Sequence, residues 1–239
     1  MIKGYIIDFG GTLDTNGCHW GRFLWHAFER RQVPVSWEEF REAYVHVERL
    51  LGKGDIIKPE YTIQQTLSIK IRLEMEYLVS RGYWYSTPLE QERYHTDILQ
   101  DVYGRVGEQM EQSRQLLVSL SAQAPVVLCS NYYGNLNAVL QEFQMDDLFT
   151  AVIESAAVGI RKPDAAIYEL ALQPFGGSSA APEVVVVGDS LKNDILPAAA
   201  LGCPTLWLKG EPWDYSDADG VTPTSTYIIT DLKELLQQY

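Results

Sequence analysis

The second half of the chain alternates between two periodicities, and this constrains the fold more than any other feature. From Gly107 onward, short apolar runs ("PVVLCS", "AVIES", "EVVVVGD", "PTLWLK" and a last one at "YIIT") are separated by stretches of helical spacing. The helices fall roughly at Glu108 to Ala122, Asn135 to Phe143, Asp164 to Leu172 and Lys192 to Leu201. Runs without a polar face suit strands buried from two sides, and strands joined by helices form the βαβ units of a parallel sheet. Tyr5-Ile6-Ile7 is a further strand of this kind. The expected fold class is therefore α/β, a Rossmann-like parallel sheet with helices on both faces. In such a sheet the polar residues that end the strands become neighbours, however far apart they lie in the sequence.

Between the first strand and this half the pattern is helical. "WGRFLWHAFERRQ" and "SWEEFREAYVHVERLLG" are amphipathic, the latter with Ser36 and Glu39 placed as a capping box. "PEYTIQQTLSIKIRLEMEYLVSRG" opens at Pro59, and "STPLEQERYHTDILQDVYGRV" completes the set. The expectation is an inserted α-helical cap domain, residues 17–104, in a core made of residues 1–16 and 105–239. Trp25, Trp37, Tyr83, Trp84 and Tyr85 are expected to fill the cap interior, because aromatic side chains bury large areas. Trp20 and Arg22, just beyond the opening loop, are placed to line a pocket, with Arg22 as an anion contact. Lys53, between Gly52 and Gly54, is placed on a loop that presents it to a substrate. "PFGGSSAAPE" reads as a plain flexible loop.

Charge and composition narrow the partners. A net charge of −13 without a basic stripe argues against nucleic acid, whose backbone is held by clustered Lys and Arg. No apolar run is long enough for a membrane, and the N-terminus lacks a secretory leader pattern, so a cytoplasmic location is expected. Cys18, Cys129 and Cys203 are far apart with no CxxC pair, which fits reduced thiols, the latter two as small core residues. The expected state is a monomer or homodimer. An acidic protein that handles an anionic small molecule needs a local positive centre.

The strand ends supply one. Asp8 ends the first strand, followed by Gly10 and Gly11, which permit a turn that lets backbone approach a ligand closely. "VVLCSN" delivers Ser130 and Asn131; "VVVVGDSLKND" delivers Asp189, Asn193 and Asp194; "GIRKPDAAIY" places Lys162 at the mouth of a helix. Asp8 and Asp189 on adjacent strands offer carboxylate oxygens suited to a hard cation, Mg²⁺ above all. Ser130 is a neutral donor for a phosphate oxygen and Lys162 the fixed positive charge. Together they describe a phosphoryl-transfer site.

With "DFGGTLD", "CSN", "RKPD" and "GDSLKND" in this order, the chain resembles the haloacid dehalogenase-like hydrolase superfamily over essentially its whole length, and the helical insertion resembles that family's type-one cap. The resemblance implies Asp8 as a nucleophile forming a phospho-aspartate, with Ser130 and Lys162 steadying the transferring group. It implies Mg²⁺ held by Asp8, the Gly10 carbonyl and Asp189, with Asp194, Asn131 and Asn193 in support, and Gly11 and Thr12 near the substrate.

One position departs from the pattern. Most phosphatases of this family carry a second aspartate two residues after the nucleophile, as acid for the leaving alkoxide and then base for water; here it is Gly10. A positioned acid or base contributes roughly 10²- to 10⁴-fold. A phosphatase that manages without it, or borrows Asp14, His19 or His26, is the leading expectation. The alternatives are a weakly active or non-catalytic ligand- or partner-binding protein, a haloacid dehalogenase, whose halide needs no proton, and a phosphonate hydrolase using Lys53 or Lys58 as a Schiff-base lysine.

Overall fold

Six strands form one all-parallel sheet: β1 (Gly4–Ile7), β2 (Val126–Ser130), β3 (Ala151–Glu154), β4 (Val184–Gly188), β5 (Thr205–Leu208) and β6 (Thr226–Ile229), in the order β3-β2-β1-β4-β5-β6. The structure, a computed structural model, describes residues 2–53, 56–214 and 222–238. Strand residues alternate between the two sheet faces, as the period of two requires. Tyr5, Ile7, Leu128, Val185 and Val187 join one apolar cluster, and Ile6, Val127, Cys129, Val184 and Val186 join the other. The strand order reverses at β1, whose neighbours are β2 and β4. The crevice at the C-terminal ends of these three strands is the usual ligand position in such a sheet.

Four helices follow β1: α1 (Trp20–Arg30), α2 (Trp37–Leu51), α3 (Ile63–Ser80) and α4 (Pro88–Ser121). Three begin with capping boxes. Ser36 with Glu39 opens α2, Thr62 with Gln65 opens α3, and Thr87 with Glu90 opens α4. The start of α3 is thus at Thr62 rather than Pro59, because Thr62 is the residue that can satisfy the free N–H groups of the first turn.

The cap boundary at 104/105 falls inside a helix. Instead of two helices meeting near Gly104 and Gly107, α4 runs unbroken for 34 residues, about 50 Å at 1.5 Å per residue. Ile98, Val102, Val106, Met110 and Leu117 supply a continuous buried stripe along it, and this packing outweighs the roughly 1 kcal/mol that each interior glycine costs. The stripe belongs to the same apolar cluster as one sheet face and the cap helices, so cap and core share one interior.

The rest of the core is built from short pieces: α5 (Leu136–Glu142), α6 (Ser155–Val158), α7 (Ala166–Leu172), α8 (Leu196–Ala200) and α9 (Leu235–Gln238). Helix α7 starts two residues beyond Asp164, whose carboxylate accepts the Ala166 N–H at 3.0 Å. The stretch expected as a plain loop contains 3₁₀ turns at Gln173–Phe175 and Ser178–Glu183. Within the cap, Trp25, Phe28, Trp37 and Phe40 pack ring against ring, and Trp84 is buried. Tyr85 is the correction: it is 90% exposed, just ahead of the α4 cap, where no element covers it. Cys129 and Cys203 are buried and Cys18 is half-buried. No helix among the described residues is long and apolar enough to cross a membrane.

Candidate active site

Asp8 leaves β1 into a kinked turn, Phe9–Leu13, in which Gly10 is extended and Gly11 left-handed. Gly11 has φ +93°, and a Cβ there would lie 2.5–2.7 Å from the Asp189 carboxylate. Only glycine meets both demands. The turn brings the Thr12 hydroxyl between two carboxylates: it donates to Asp8 Oδ2 at 3.0 Å and, more weakly, to Asp189 Oδ1 at 3.3 Å, and accepts the Asp189 N–H at 3.1 Å. Thr12 therefore ties the end of β1 to the end of β4 rather than facing a substrate.

Lys162 is the charge around which the site is assembled. Its Nζ donates to Asp8 Oδ1 at 2.6 Å and to Asp194 Oδ1 at 2.7 Å, all three side chains being buried. A reciprocal pair places it: Asn131 Nδ2 donates to the Lys162 carbonyl at 3.1 Å and Asn131 Oδ1 accepts the Lys162 N–H at 3.0 Å. Asn131 thus acts through Lys162. Asp194 is held in turn by the Ser190 N–H at 3.0 Å and the Tyr168 hydroxyl at 3.0 Å, while the Ser190 hydroxyl caps the following turn by accepting the Asn193 N–H at 3.1 Å. Tyr168 is a member that sequence reading missed; as a tyrosine on an apolar helix face it gave no signal apart from its hydroxyl.

Three carboxylates gather around one ammonium. Oxygens of Asp8, Asp189 and Asp194 lie within 4.8 Å of one another. Burial pushes the Asp8 carboxyl up to about 6 despite the Lys162 ammonium. Asp189 is pushed well above the carboxylate range by burial and by the charges of Asp194 and Asp8. Burial alone would lower Lys162, but Asp194 and Asp8 outweigh it and hold the amine well above its ordinary value. A largely buried group of carboxylates short of positive charge, packed against a glycine whose Cβ would collide with Asp189, fits a hard divalent cation with oxygen ligands. Ser130, at the end of β2, carries a buried hydroxyl with no hydrogen-bond partner among the described residues. Such a group normally finds one, and a ligand oxygen would serve.

Gly10 sits at the rim with φ −77° and ψ 117°, an ordinary extended conformation. The nearest atoms to a Cβ there are the Trp20 indole Nε1 and Cδ1, at 3.8 and 3.9 Å. That indole donates to Asp14 Oδ2 at 2.7 Å, and the Gly11 N–H donates to Asp14 Oδ1 at 2.7 Å. Asp14 is fully buried, and burial raises its carboxyl to about 7 even against these two donors. With both oxygens engaged and no exposed surface, Asp14 positions the turn and Trp20; it is not a proton donor to a substrate. His19 lines the cavities on either side of the turn. Its Nδ1 accepts the Gly21 N–H at 3.0 Å, which puts the proton of the neutral ring on Nε2. Burial and the nearby Lys70 lower it to about 4, so at neutral pH the ring is uncharged, with Nε2–H left as its one hydrogen-bond donor and no acid proton to give. His26 pairs with Glu29 and Glu211 and does not line the cavity.

The cavity beside the turn is floored by Gly10, Gly11 and Asn131 and roofed by the cap through Trp20, Tyr44 and Lys70. Trp20 is where the sequence placed it. Arg22 is not: its guanidinium stacks on Trp37 at 3.9 Å and donates to the Pro212 and Trp213 carbonyls, tying cap to core. Lys53 is exposed and not part of the lining, and its neighbour Gly54 lies outside the described residues. The cavity lysine is Lys70, which sequence reading passed over. The available signal was a charge at 70 and again at 74 on the apolar stripe of α3, Ile63, Leu67, Ile71 and Leu78.

Comparison with known proteins agrees with this geometry. A family model described as haloacid dehalogenase-like hydrolase matches residues 2–202. Pyrimidine 5'-nucleotidase YjjG of Escherichia coli is 30% identical over 123 residues, 51% of this chain and 52% of the relative. Glyceraldehyde 3-phosphate phosphatase of Pyrococcus furiosus is 33% identical over 94 residues, 39% of this chain and 38% of the relative. The matches thus span about half the length of these curated relatives or less. Among solved structures, the HAD-hydrolase YfnB of Bacillus subtilis bound to magnesium superposes with a TM-score of 0.55 at 16% identity, covering 99% of this chain and 97% of that one.

Proposed function

We propose that this chain, which belongs to the haloacid dehalogenase-like hydrolase family, is a phosphatase that releases phosphate from a small phosphorylated metabolite. The observation that carries the reading is the convergence of Asp8, Lys162, Asp189 and the unpartnered Ser130 hydroxyl at the ends of β1, β2 and β4. Asp8, the Gly10 carbonyl and Asp189 would hold Mg²⁺, which when bound offsets charge on the transferring phosphoryl group. Both curated relatives carry phosphatase-type names, which supports phosphate esters as the substrate class.

Asp8 attacks phosphorus, forming an aspartyl O–P bond as the P–O bond to the alcohol breaks; water then cleaves the acyl phosphate and regenerates the carboxylate. Lys162 holds the carboxylate in place and neutralises charge on the phosphoryl oxygens, and Ser130 donates to one of them. The departing alkoxide takes its proton from water, since Gly10 has none to give, Asp14 is sealed and His19 is neutral with its proton held on the ring. Tolerance of that missing proton is greatest for alcohols that leave easily.

Chemistry weighs against the other readings. Halide displacement has no use for three clustered carboxylates. A Schiff-base lysine must reach the substrate with its amine uncharged, whereas Lys53 and Lys58 do not line the cavity and Lys70 is held above its ordinary value by Glu48 and Tyr44 despite burial. The test is phosphate release from p-nitrophenyl phosphate and a panel of phosphorylated metabolites with Mg²⁺. Release lost in Asp8→Asn and with chelator is expected; release unaffected by Asp8→Asn would overturn the reading.

A further inference from the structure

Lysine is seldom buried unless paired, and a buried ion pair is weak evidence for stability, because desolvating both charges offsets most of their attraction. Lys70 is 3% exposed in the cap interior. Its ammonium donates to Glu48 and sits 4.5 Å above the Tyr44 ring and 5.9 Å from the Trp20 ring. Glu48 also accepts the Tyr133 hydroxyl at 2.9 Å, and both Glu48 and Lys70 line the cavity that reaches Gly10 and Gly11. One helical turn beyond Lys70, Glu74 is fully buried with neither oxygen hydrogen-bonded among the described residues. The Lys70–Glu48 pair stands opposite the turn that follows the nucleophile, where the alcohol half of a phosphate ester would lie.

Resting on the phosphatase reading, we infer that the Lys70–Glu48 pair selects the alcohol half of the substrate, and that this alcohol is an uncharged polyol carrying at least one free hydroxyl. A hydroxyl both accepts and donates, so one group can take a spare Lys70 N–H and give its own proton to Glu48. A cationic head group is disfavoured because Lys70 already occupies the aromatic faces of Tyr44 and Trp20 that would receive it. A carboxylate would stand beside Glu48, which is already the anionic partner of Lys70 in the cavity wall. An alcohol without further hydroxyls leaves both charges of the pair without the added partner, the kind of loss by which polar sites reject deoxy analogues most strongly. Tyr133, which lines the same cavity, offers apolar surface for the C–H groups of a polyol.

The experiment reads binding and turnover separately. Glycerol 1-phosphate, ribose 5-phosphate and glucose 6-phosphate are compared with propyl phosphate, phosphoglycolate and phosphoethanolamine. The first readout is the Kd from thermal-shift titration of Asp8→Asn with Mg²⁺; the second is phosphate release by the native enzyme. At least one polyol phosphate is expected to bind about tenfold or more tighter than propyl phosphate and both charged esters. That preference should collapse to within about threefold when Lys70→Met or Glu48→Gln is added. The inference is overturned if no polyol phosphate outbinds propyl phosphate, if a charged ester binds best, or if the preference survives both substitutions. The ligand series alone can refute it should Lys70→Met fail to fold. Preference in binding with no phosphate release from any ester would refute the phosphatase reading while leaving the polyol pocket standing.

Discussion

Replacing Gly10 by aspartate returns the missing proton-transfer group, and the structure shows that there is room for it. The backbone at Gly10 already has φ −77° and ψ 117°, open to any residue, and a Cβ meets only the Trp20 indole at 3.8 and 3.9 Å. Folding should therefore be unchanged or favoured by up to about 1 kcal/mol, through the lower entropy of the unfolded chain. The new carboxyl would stand near Asp8 and Asp14, whose charges favour its protonated form, the state a general acid must start in. A positioned acid or base is worth roughly 10²- to 10⁴-fold, or about 2.7–5.4 kcal/mol of barrier at 1.36 kcal/mol per decade. The assay is kcat for a series of phosphate esters with alcohols of rising pKa. Native enzyme should slow steeply along the series, and Gly10→Asp should flatten the slope, gaining at least a hundredfold on alkyl esters and least on p-nitrophenyl phosphate. A variant with native Tm that gains less than about threefold throughout would refute the reasoning, because another group would then already be supplying the proton.

Other outcomes follow from the same geometry. Gly11→Ala combines φ +93° with a Cβ 2.5–2.7 Å from the Asp189 carboxylate; it should cost on the order of 1–3 kcal/mol by chemical denaturation and weaken Mg²⁺ binding in calorimetry by tenfold or more. Gly104→Ala, on the exposed side of α4 where a Cβ meets nothing within 4 Å, should raise stability by about 1 kcal/mol in urea. Burial raises Glu74 from 4.5 to about 8. The unfolded chain therefore loses that proton first, and folding stability falls as pH rises between about 4.5 and 8. Glu74→Gln should remove a fall on the order of 4 kcal/mol from that window, read as a flatter dependence of Tm on pH; an unchanged slope would count against a protonated Glu74.

The candidate-site end of the molecule was legible because its parts are local. The apolar runs of β1, β2 and β4 each lead into a polar residue, so Asp8, Ser130 and Asp189 could be assigned to one edge before any contact was known. The cap was legible only as helices. The helix break expected near Gly104 and Gly107 is absent because these glycines weaken the helix only locally, while the stripe from Ile98 to Leu117 holds it together through distant partners. The cap pocket was misassigned for a similar reason: Arg22 and Lys53 looked available beside the opening loop and between glycines, yet Trp37 and the 212–213 carbonyls take up Arg22.

The parallel sheet, the order of the site residues along it and the gap at Gly10 are legible in the chain alone, since periodicity, strand ends and a missing side chain are properties of short stretches. That Asp14 is sealed behind Trp20 and Gly11, that His19 keeps its proton on Nε2, and that Lys70 and Glu48 stand across the cavity from the Phe9–Leu13 turn emerge only in three dimensions. These depend on which surfaces are buried against each other and on what hydrogen-bond partners remain there. Both are fixed by packing between elements far apart in the chain.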